Sequence, residues 1–179
     1  TFDSVRILGE ALKNDLTYDN LVLLDDSKFS IRILPKNRSP RDMKNDSAIK
    51  KALHEEISKA EAIIIKPLAR KGLMAIKIAK KLKKPYMIEV TGDIHNALRQ
   101  NPSFLKRMYA PVLYRQILNT IRDCRFGLYV SQEYLQSQFP IRGKMCGCSD
   151  VILKKADPEV LAKRIQRIEA LPEQKTIDL

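Results

Sequence analysis

Apolar residues along this chain fall into short runs separated by stretches where they recur at helical spacing. Leu21-Val22-Leu23-Leu24 and Phe29 to Leu34 read as short strands, with Asp25, Asp26 and Ser27 as turn chemistry between them. The polar, basic stretch from Pro35 to Asp46 reads as a loop. Ile49, Ala52, Leu53, Ile57 and Ala60 then share one face of a helix. Ala62 to Ile65 is a continuous apolar run of the kind a buried parallel strand requires. Met74, Ala75, Ile78, Ala79 and Leu82 mark the next helix, whose other face carries Lys71, Lys77, Lys80, Lys81 and Lys84, and Pro85 ends it.

Tyr86 to Val90 is a further strand and runs into the turn Thr91-Gly92-Asp93. A long helical region follows, with an interruption expected at Pro111 and with Leu113, Ile117 and Ile121 on one face of its second part. Phe126 to Val130 is again a strand. Ser131 is placed to cap a helix beginning Gln132-Glu133-Tyr134, and Pro140 closes that unit. Val151 to Leu153 reads as one more strand. Asp157-Pro158 is a good helix start, Val160, Leu161, Ile165 and Ile168 form the inner face of that helix, and Pro172 stops it. Lys175 to Leu179 looks like the start of a strand.

Strands alternating with amphipathic helices imply βαβ units, hence an α/β fold of the Rossmann type: a mostly parallel sheet covered by helices on both faces. The 179 residues suffice for one such domain. The expected division is a Rossmann-like domain over 1–155, then a helix and the start of a connection over 156–179. The chain opens without a Met and ends on an unprotected strand-like segment, so the natural protein is expected to continue.

A hydrophobic fraction of 44% and a charged fraction of 30% exclude global disorder. No apolar run approaches the ~20 residues of a bilayer-spanning helix. The unusual number is the charge, +12 from 33 Lys and Arg against 21 Asp and Glu. Such an excess bears on partners: anionic lipid surfaces, phosphorylated substrates or nucleic acid. Nucleic acid fits least, because aromatics make up 6% of the chain, Trp is absent and no nucleic-acid-reading motif is present. The basic, amphipathic stretch from Leu98 to Arg125 suits an anionic membrane face, although such helices also commonly just cover a sheet. Three cysteines argue against a secreted disulfide framework and for the cytosol. Cys146 and Cys148 form a C-x-C, but neither His54 nor His95 stands at a ligand-like spacing from them, so no metal site is expected.

Ligands of open parallel sheets bind outside the carboxyl ends of the strands. The most informative turn there is Thr91-Gly92-Asp93-Ile94-His95. Gly92 permits a tight turn or close backbone approach to a ligand, and Asp93 and His95 add an acceptor and an imidazole. The alternative is a turn glycine followed by a helix cap. In the turn Lys66 to Gly72, Arg70 and its neighbours can meet an anion at a helix start, or can be solvated loop charge. Ser131 closes the candidates as a rim hydroxyl or a helix cap. No G-x-G-x-x-G, P-loop or G-x-S-x-G motif is present, so any nucleotide would be held by another domain, and no cofactor is expected here.

These residues resemble a family. Lys84 to Asp93 (KPYMIEVTGD) is similar to the "kPyviEvvGd" segment of the N-terminal domain of bacterial family-four glycosyltransferases of GT-B architecture. Tyr129 to Pro140 (YVSQEYLQSQFP) resembles their "yVTkeyLqkrYP", followed by a short segment ending Ser149-Asp150-Val151. Ala62 to Gly72 is similar to their "dviiaRlPs..g" turn, with Lys66 where an Arg is common. The resemblance runs from about Glu61 to Val151 and is weak before Asp46; the family's opening strand and glycine-bearing loop are not recognisable. It implies one half of a GT-B enzyme: an acceptor-binding domain whose missing C-terminal partner holds the nucleotide-sugar donor, with retention of configuration and no bound metal. The implied acceptor is a cell-envelope or polysaccharide glycan, or a lipid-linked one, at the cytoplasmic membrane face. In that picture Asp93 is catalytic, with His95 second, while Thr91, Gly92, Arg70 and Ser131 line the acceptor site. The whole protein would be a hexosyltransferase-type enzyme in polysaccharide biosynthesis, and this piece alone inactive. A stand-alone basic binding or accessory module and a GT-B nucleotide-sugar epimerase are the alternatives.

Overall fold

The computed structural model describes residues 2–11, 27–37, 40–149 and 158–170. They divide into two compact units, Thr1–Cys148 and Ser149–Leu179. In the first, β1 (Val5–Gly9) pairs in parallel with β2 (Phe29–Ile33). A 3-10 turn over Pro40–Asn45 leads into α1 (Asp46–Lys59), followed by β3 (Ile63–Ile65), α2 (Arg70–Lys81), β4 (Tyr86–Val90), α3 (Ile94–Arg99), α4 (Phe104–Ile121), β5 (Phe126–Tyr129), α5 (Tyr134–Gln138) and β6 (Lys144–Gly147). The last four strands form a parallel sheet in the order β3-β4-β5-β6. This is an α/β, Rossmann-like arrangement of parallel strands joined through helices. The second unit contributes α6 (Pro158–Ala170).

The register explains the core. Ile65, Ile88 and Gly127 lie in one row, and Val90 and Tyr129 in the next, all on one face. On that face they meet Ile49, Leu53 and Ile57 of α1, Ile76 and Ala79 of α2, and Leu113, Ile117 and Ile121 of α4 in one cluster. The apolar periodicities of the sequence are thus the buried stripes of three helices on one sheet face. On the opposite face Ile64 and Phe126 are exposed, while Met87, Glu89 and Leu128 are half-buried.

Several expectations need correction. An opening strand does exist: Val5–Gly9 pairs with Phe29–Ile33 over five residue pairs. Its Arg6, charged in the middle of a strand, is accommodated by Glu56 of α1 at 3.1 Å, which also takes Arg32 of β2 at 2.7 Å. Together with the desolvation that opposes it, the Arg32 hydrogen bond, the largest influence, leaves the Glu56 carboxyl below its ordinary pKa. The loop expected over Pro35 to Asp46 contains the 3-10 turn. Pro111 does not interrupt α4, which runs unbroken through it. Pro111 and Arg107, whose carbonyl loses its usual donor, are both exposed, so the unpaired group is not sealed in the core. The helix after β5 starts at Tyr134 rather than Gln132, and β6 is an addition to the strands that the sequence pattern predicts. The strands expected at Leu21 to Leu24 and Val151 to Leu153, and the segment from Lys175, lie outside the described residues.

Gly72 shows how tightly the β3–α2 turn closes. A Cβ there would stand 2.0 Å from the Lys66 carbonyl oxygen, a backbone atom that no side-chain rotation can move. Gly72→Ala is therefore expected to cost about 1–3 kcal/mol through overpacking, read as a lower urea midpoint. An unchanged midpoint would mean that the turn yields freely.

Candidate functional site

β4 and β5 are neighbours in register, with Val90 opposite Tyr129, and the Val130 N–H donates to the Val90 carbonyl at 3.2 Å. The segments leaving both strands therefore emerge side by side at the carboxyl rim. Thr91 to Asn96 follow β4 and are half-buried, neither sealed in the core nor fully free. Asp93 is the N-cap of α3, and its Oδ1 accepts from the Asn96 backbone N–H at 3.0 Å. Its Oδ2 accepts from the Tyr134 hydroxyl at 2.6 Å and from Asn96 Nδ2 at 2.8 Å. Asn96 Nδ2 also donates to the Tyr134 oxygen at 2.6 Å, closing a triangle between α3 and α5.

Burial pushes the Asp93 carboxyl up, but the Tyr134 hydroxyl, the backbone N–H groups of Asn96 and His95 and the His95 charge outweigh it. The net pKa is lowered, so the group is a carboxylate at neutral pH. The same bond to Asp93, with burial, raises the Tyr134 phenol. His95 is stacked on Tyr114 of α4, with centroids 4.6 Å apart and an interplanar angle of 28°. Tyr114 meets Phe139 edge-on and donates to the Gln138 carbonyl at 2.7 Å. Burial, then the nearby Asp93 charge, raises the Tyr114 phenol. The rim thus presents an ionised carboxylate and an imidazole, each braced by a tyrosine.

Gly92 differs from the tightly packed glycines. It has no positive φ, and nothing lies within 4 Å of where its Cβ would be. Among the described residues, neither backbone strain nor packing requires a glycine there. Ser131 accepts from the Leu135 backbone N–H at 3.0 Å, serving the first turn of α5 as a cap would. Arg70, at the start of α2, is paired with Asp46 Oδ2 at 2.5 Å, while Lys71 is paired with Glu10. Asp46 Oδ1 in turn accepts from Asn37 Nδ2 at 2.8 Å. Asn37 is 7% exposed, and its Oδ1 is buried without a hydrogen-bond partner among the described residues. Lys66 makes a looser pair with Glu89 at 3.4 Å. The Lys66 to Gly72 turn therefore meets carboxylates of its own chain. The structure brings Thr91, Gly92, Asp93 and His95 together at the end of β4, and places Arg70 in a separate cluster with Asp46 and Asn37.

Tyr134, Asn96 and Tyr114 are not among the residues that sequence reasoning singles out. Asn96 stands three residues after Asp93, the spacing of a reciprocal helix cap, and that signal is readable. Tyr134 lies 41 residues from Asp93, and only the pairing of β4 with β5 joins them. Among the described residues no group of three or more His, Cys, Asp or Glu could hold a metal ion. Cys124 is buried, Cys146 and Cys148 are exposed, and none of the three is in a disulfide. No described helix is long and apolar enough to cross a membrane.

No family model matches the chain, and no solved structure matches it significantly. It is similar to protein CapJ of Staphylococcus aureus, 29% identical over 148 residues that make up 80% of this chain and 37% of CapJ. The chain thus spans little more than a third of that relative.

Asp93 titrates below its unfolded value, so its charge contributes stability that is fully present above the ordinary carboxylate pKa near 4 and is lost as pH falls through the lower folded value. Tyr134→Phe removes the leading donor that lowers this pKa. The variant should unfold at lower urea than the parent at about pH 7, and the gap should narrow as pH falls below the ordinary carboxylate value near 4 and through the lower folded one. A gap independent of pH would show that the hydroxyl does not serve the carboxylate.

Proposed function

We propose that this chain is the acceptor-binding half of a GT-B glycosyltransferase that moves a sugar from a nucleotide donor to a glycan or lipid-linked acceptor in surface-polysaccharide assembly. A role in glycan biosynthesis is what the likeness to CapJ loosely supports; the finer assignment rests on the segment similarity from Glu61 to Val151. The observation that carries it is Gly92, a glycine with open space beside it, adjoining an ionised carboxylate at the carboxyl rim. Sugar hydroxyls donate well to carboxylates, and a missing Cβ lets a ring approach the backbone. Thr91 and Gly92 then form the floor of the acceptor site and Asp93 orients the reacting hydroxyl.

A depressed pKa makes Asp93 a poor general base, since proton abstraction works best when the base titrates near the working pH. Its role is orientation and electrostatic stabilisation, and the imidazole of His95 is the neighbouring group able to carry a proton. The donor belongs to a further domain. The natural chain carrying that domain should bind a nucleotide sugar in calorimetry, and the 179-residue form should not; tight binding by the short form would overturn the division of labour.

A second reading is favoured by the triangle itself. Both Asp93 oxygens already have protein donors, as in a purely structural cap. The chain would then be a stand-alone binding or accessory module. Asp93→Asn separates the two: Asn ranks with Asp as an N-cap but carries no charge, and because its amide NH2 cannot accept, the variant is expected to lose some stability at neutral pH under either reading. Transfer reduced on the order of a hundredfold in the folded variant, as for loss of a preorganised electrostatic group, supports the enzyme; a variant that loses stability alone and keeps its transfer supports the module.

Gly92→Ala gives an independent check. With no strain and no clash at this position, alanine should leave stability unchanged or raise it by about 0.4–1 kcal/mol through the unfolded state. Acceptor use should nevertheless fall, seen as a higher acceptor KM. A variant as active as the parent would remove Gly92 from the site.

A further inference from the structure

The first half of α4 stands out of the protein in a way its fold does not explain. Phe104, Leu105, Met108, Tyr109 and Val112 are all exposed, Leu105 at 78% and Val112 at 59%. Contiguous apolar surface of this kind on a folded domain marks a contact. With each residue turning about 100°, Phe104, Met108, Val112, Arg115 and Asn119 fall within an arc of about 80°. One face of one helix is thus apolar over its first half and basic and polar over its second. Across from that second half stand Lys77 and Lys80 of α2, which with Val112, Arg115, Gln116, Asn119 and Thr120 line an open groove. Lys80 is held to the groove wall by a 2.8 Å bond to the Thr120 carbonyl.

The charge around this face is one-sided. From Ile94 to Arg122 the sequence contains no Asp or Glu and carries Arg99, Lys106, Arg107, Arg115 and Arg122; α2 has no acidic residue either. Among the described residues no carboxylate pairs with Lys77 or Arg115. We infer that the exposed face of α4, with the Lys77/Arg115 groove, docks on an anionic membrane surface. The apolar half enters the acyl boundary and the groove takes lipid phosphates. A second copy of this chain would oppose cations to cations, which is unfavourable. Nucleic acid would leave the apolar half without a partner. An anionic bilayer supplies apolar interior and negative headgroups in adjacent layers, which is the pattern the helix displays.

The docked helix also carries the rim site. Tyr114, roughly opposite Val112 and Met108 around α4, holds the His95 ring. The bilayer surface would therefore lie about one helix diameter, roughly 10 Å, from that imidazole. The docking does not depend on the glycosyltransferase reading, and the test needs no enzymatic activity.

The test is co-sedimentation of the chain with phosphatidylcholine vesicles containing about 30% phosphatidylglycerol, against phosphatidylcholine alone, in about 0.1 M salt. Binding is expected to the anionic vesicles only and to fall as salt is raised. Lys77→Gln with Arg115→Gln should weaken it about 25-fold, at about fivefold per cation near the surface. Leu105→Ser with Met108→Ser should weaken it on the order of tenfold or more. All four positions are surface ones, and circular dichroism checks that the variants stay folded. Equal binding to both vesicle types, no binding to either, or indifference to both double variants would overturn the inference. A concentration-dependent dimer abolished by Leu105→Ser with Met108→Ser, without vesicle binding, would overturn it in favour of a second copy.

Discussion

The in-register pairing of β4 with β5 is the constraint on which the candidate site depends. Parallel pairing sets Ile88 against Gly127 and Val90 against Tyr129, so both strands release the chain at the same rim. Tyr129 then anchors the segment beyond β5. It is fully buried, donates to the Phe139 carbonyl at 2.7 Å, and its ring comes so close to Gly127 that a Cβ there would stand 2.7 Å from it. One side chain thus ties β5 to the end of α5. The start of α5 carries Tyr134, and the contact between Tyr134 and Asp93 is a consequence of that tie.

The scarce carboxylates of this basic chain are spent at element starts and junctions. Asp93 begins α3, and Asp46 begins α1 and reaches Arg70 at the start of α2. Glu10, just after β1, holds Lys71, and Glu56 gathers Arg6 and Arg32 from the small sheet. The pairs that are partly buried contribute more than exposed ones such as Arg142–Asp123, which solvent and salt screen. Since carboxylates are drawn to these junctions, among the described residues none pairs with Lys77 of α2 or Arg115 of α4. The positive surface and the ordered rim are two results of one distribution.

Where periodicity is strong and the elements long, the fold is legible in the sequence. Ile49 to Ala60, Met74 to Leu82 and Tyr86 to Val90 announce α1, α2 and β4 because core burial demands those spacings. β1 escapes because Arg6 sits in the middle of Val5 to Leu8, and its compensation by Glu56 is tertiary. β6 escapes because Lys144-Met145-Cys146-Gly147 has no β-branched residue; it is held as an edge by pairing with β5. Pro111 misleads because the rule against proline in helices concerns carbonyls that need a partner, and an exposed turn relaxes it. Asp93 and His95 are found from a rule about strand ends. Tyr134 and Tyr114, which brace them, belong to other helices, and only the folded chain brings them near.

Capping and chemistry at Asp93 need not compete. A carboxylate held by the Asn96 N–H, Asn96 Nδ2 and the Tyr134 hydroxyl is fixed in orientation; Oδ2 already accepts two of these bonds, and Oδ1, which accepts the Asn96 N–H, is the oxygen left with acceptor capacity for a further donor. Groups that act by stabilising charge or orienting a hydroxyl gain from being fixed before the substrate arrives. A proton-abstracting group would lose by the same bonds, because they lower its basicity. The network therefore sorts the roles available to this residue: it favours orientation over proton transfer. Under the proposed function, the open space at Gly92, next to it in the chain, is where the acceptor would lie.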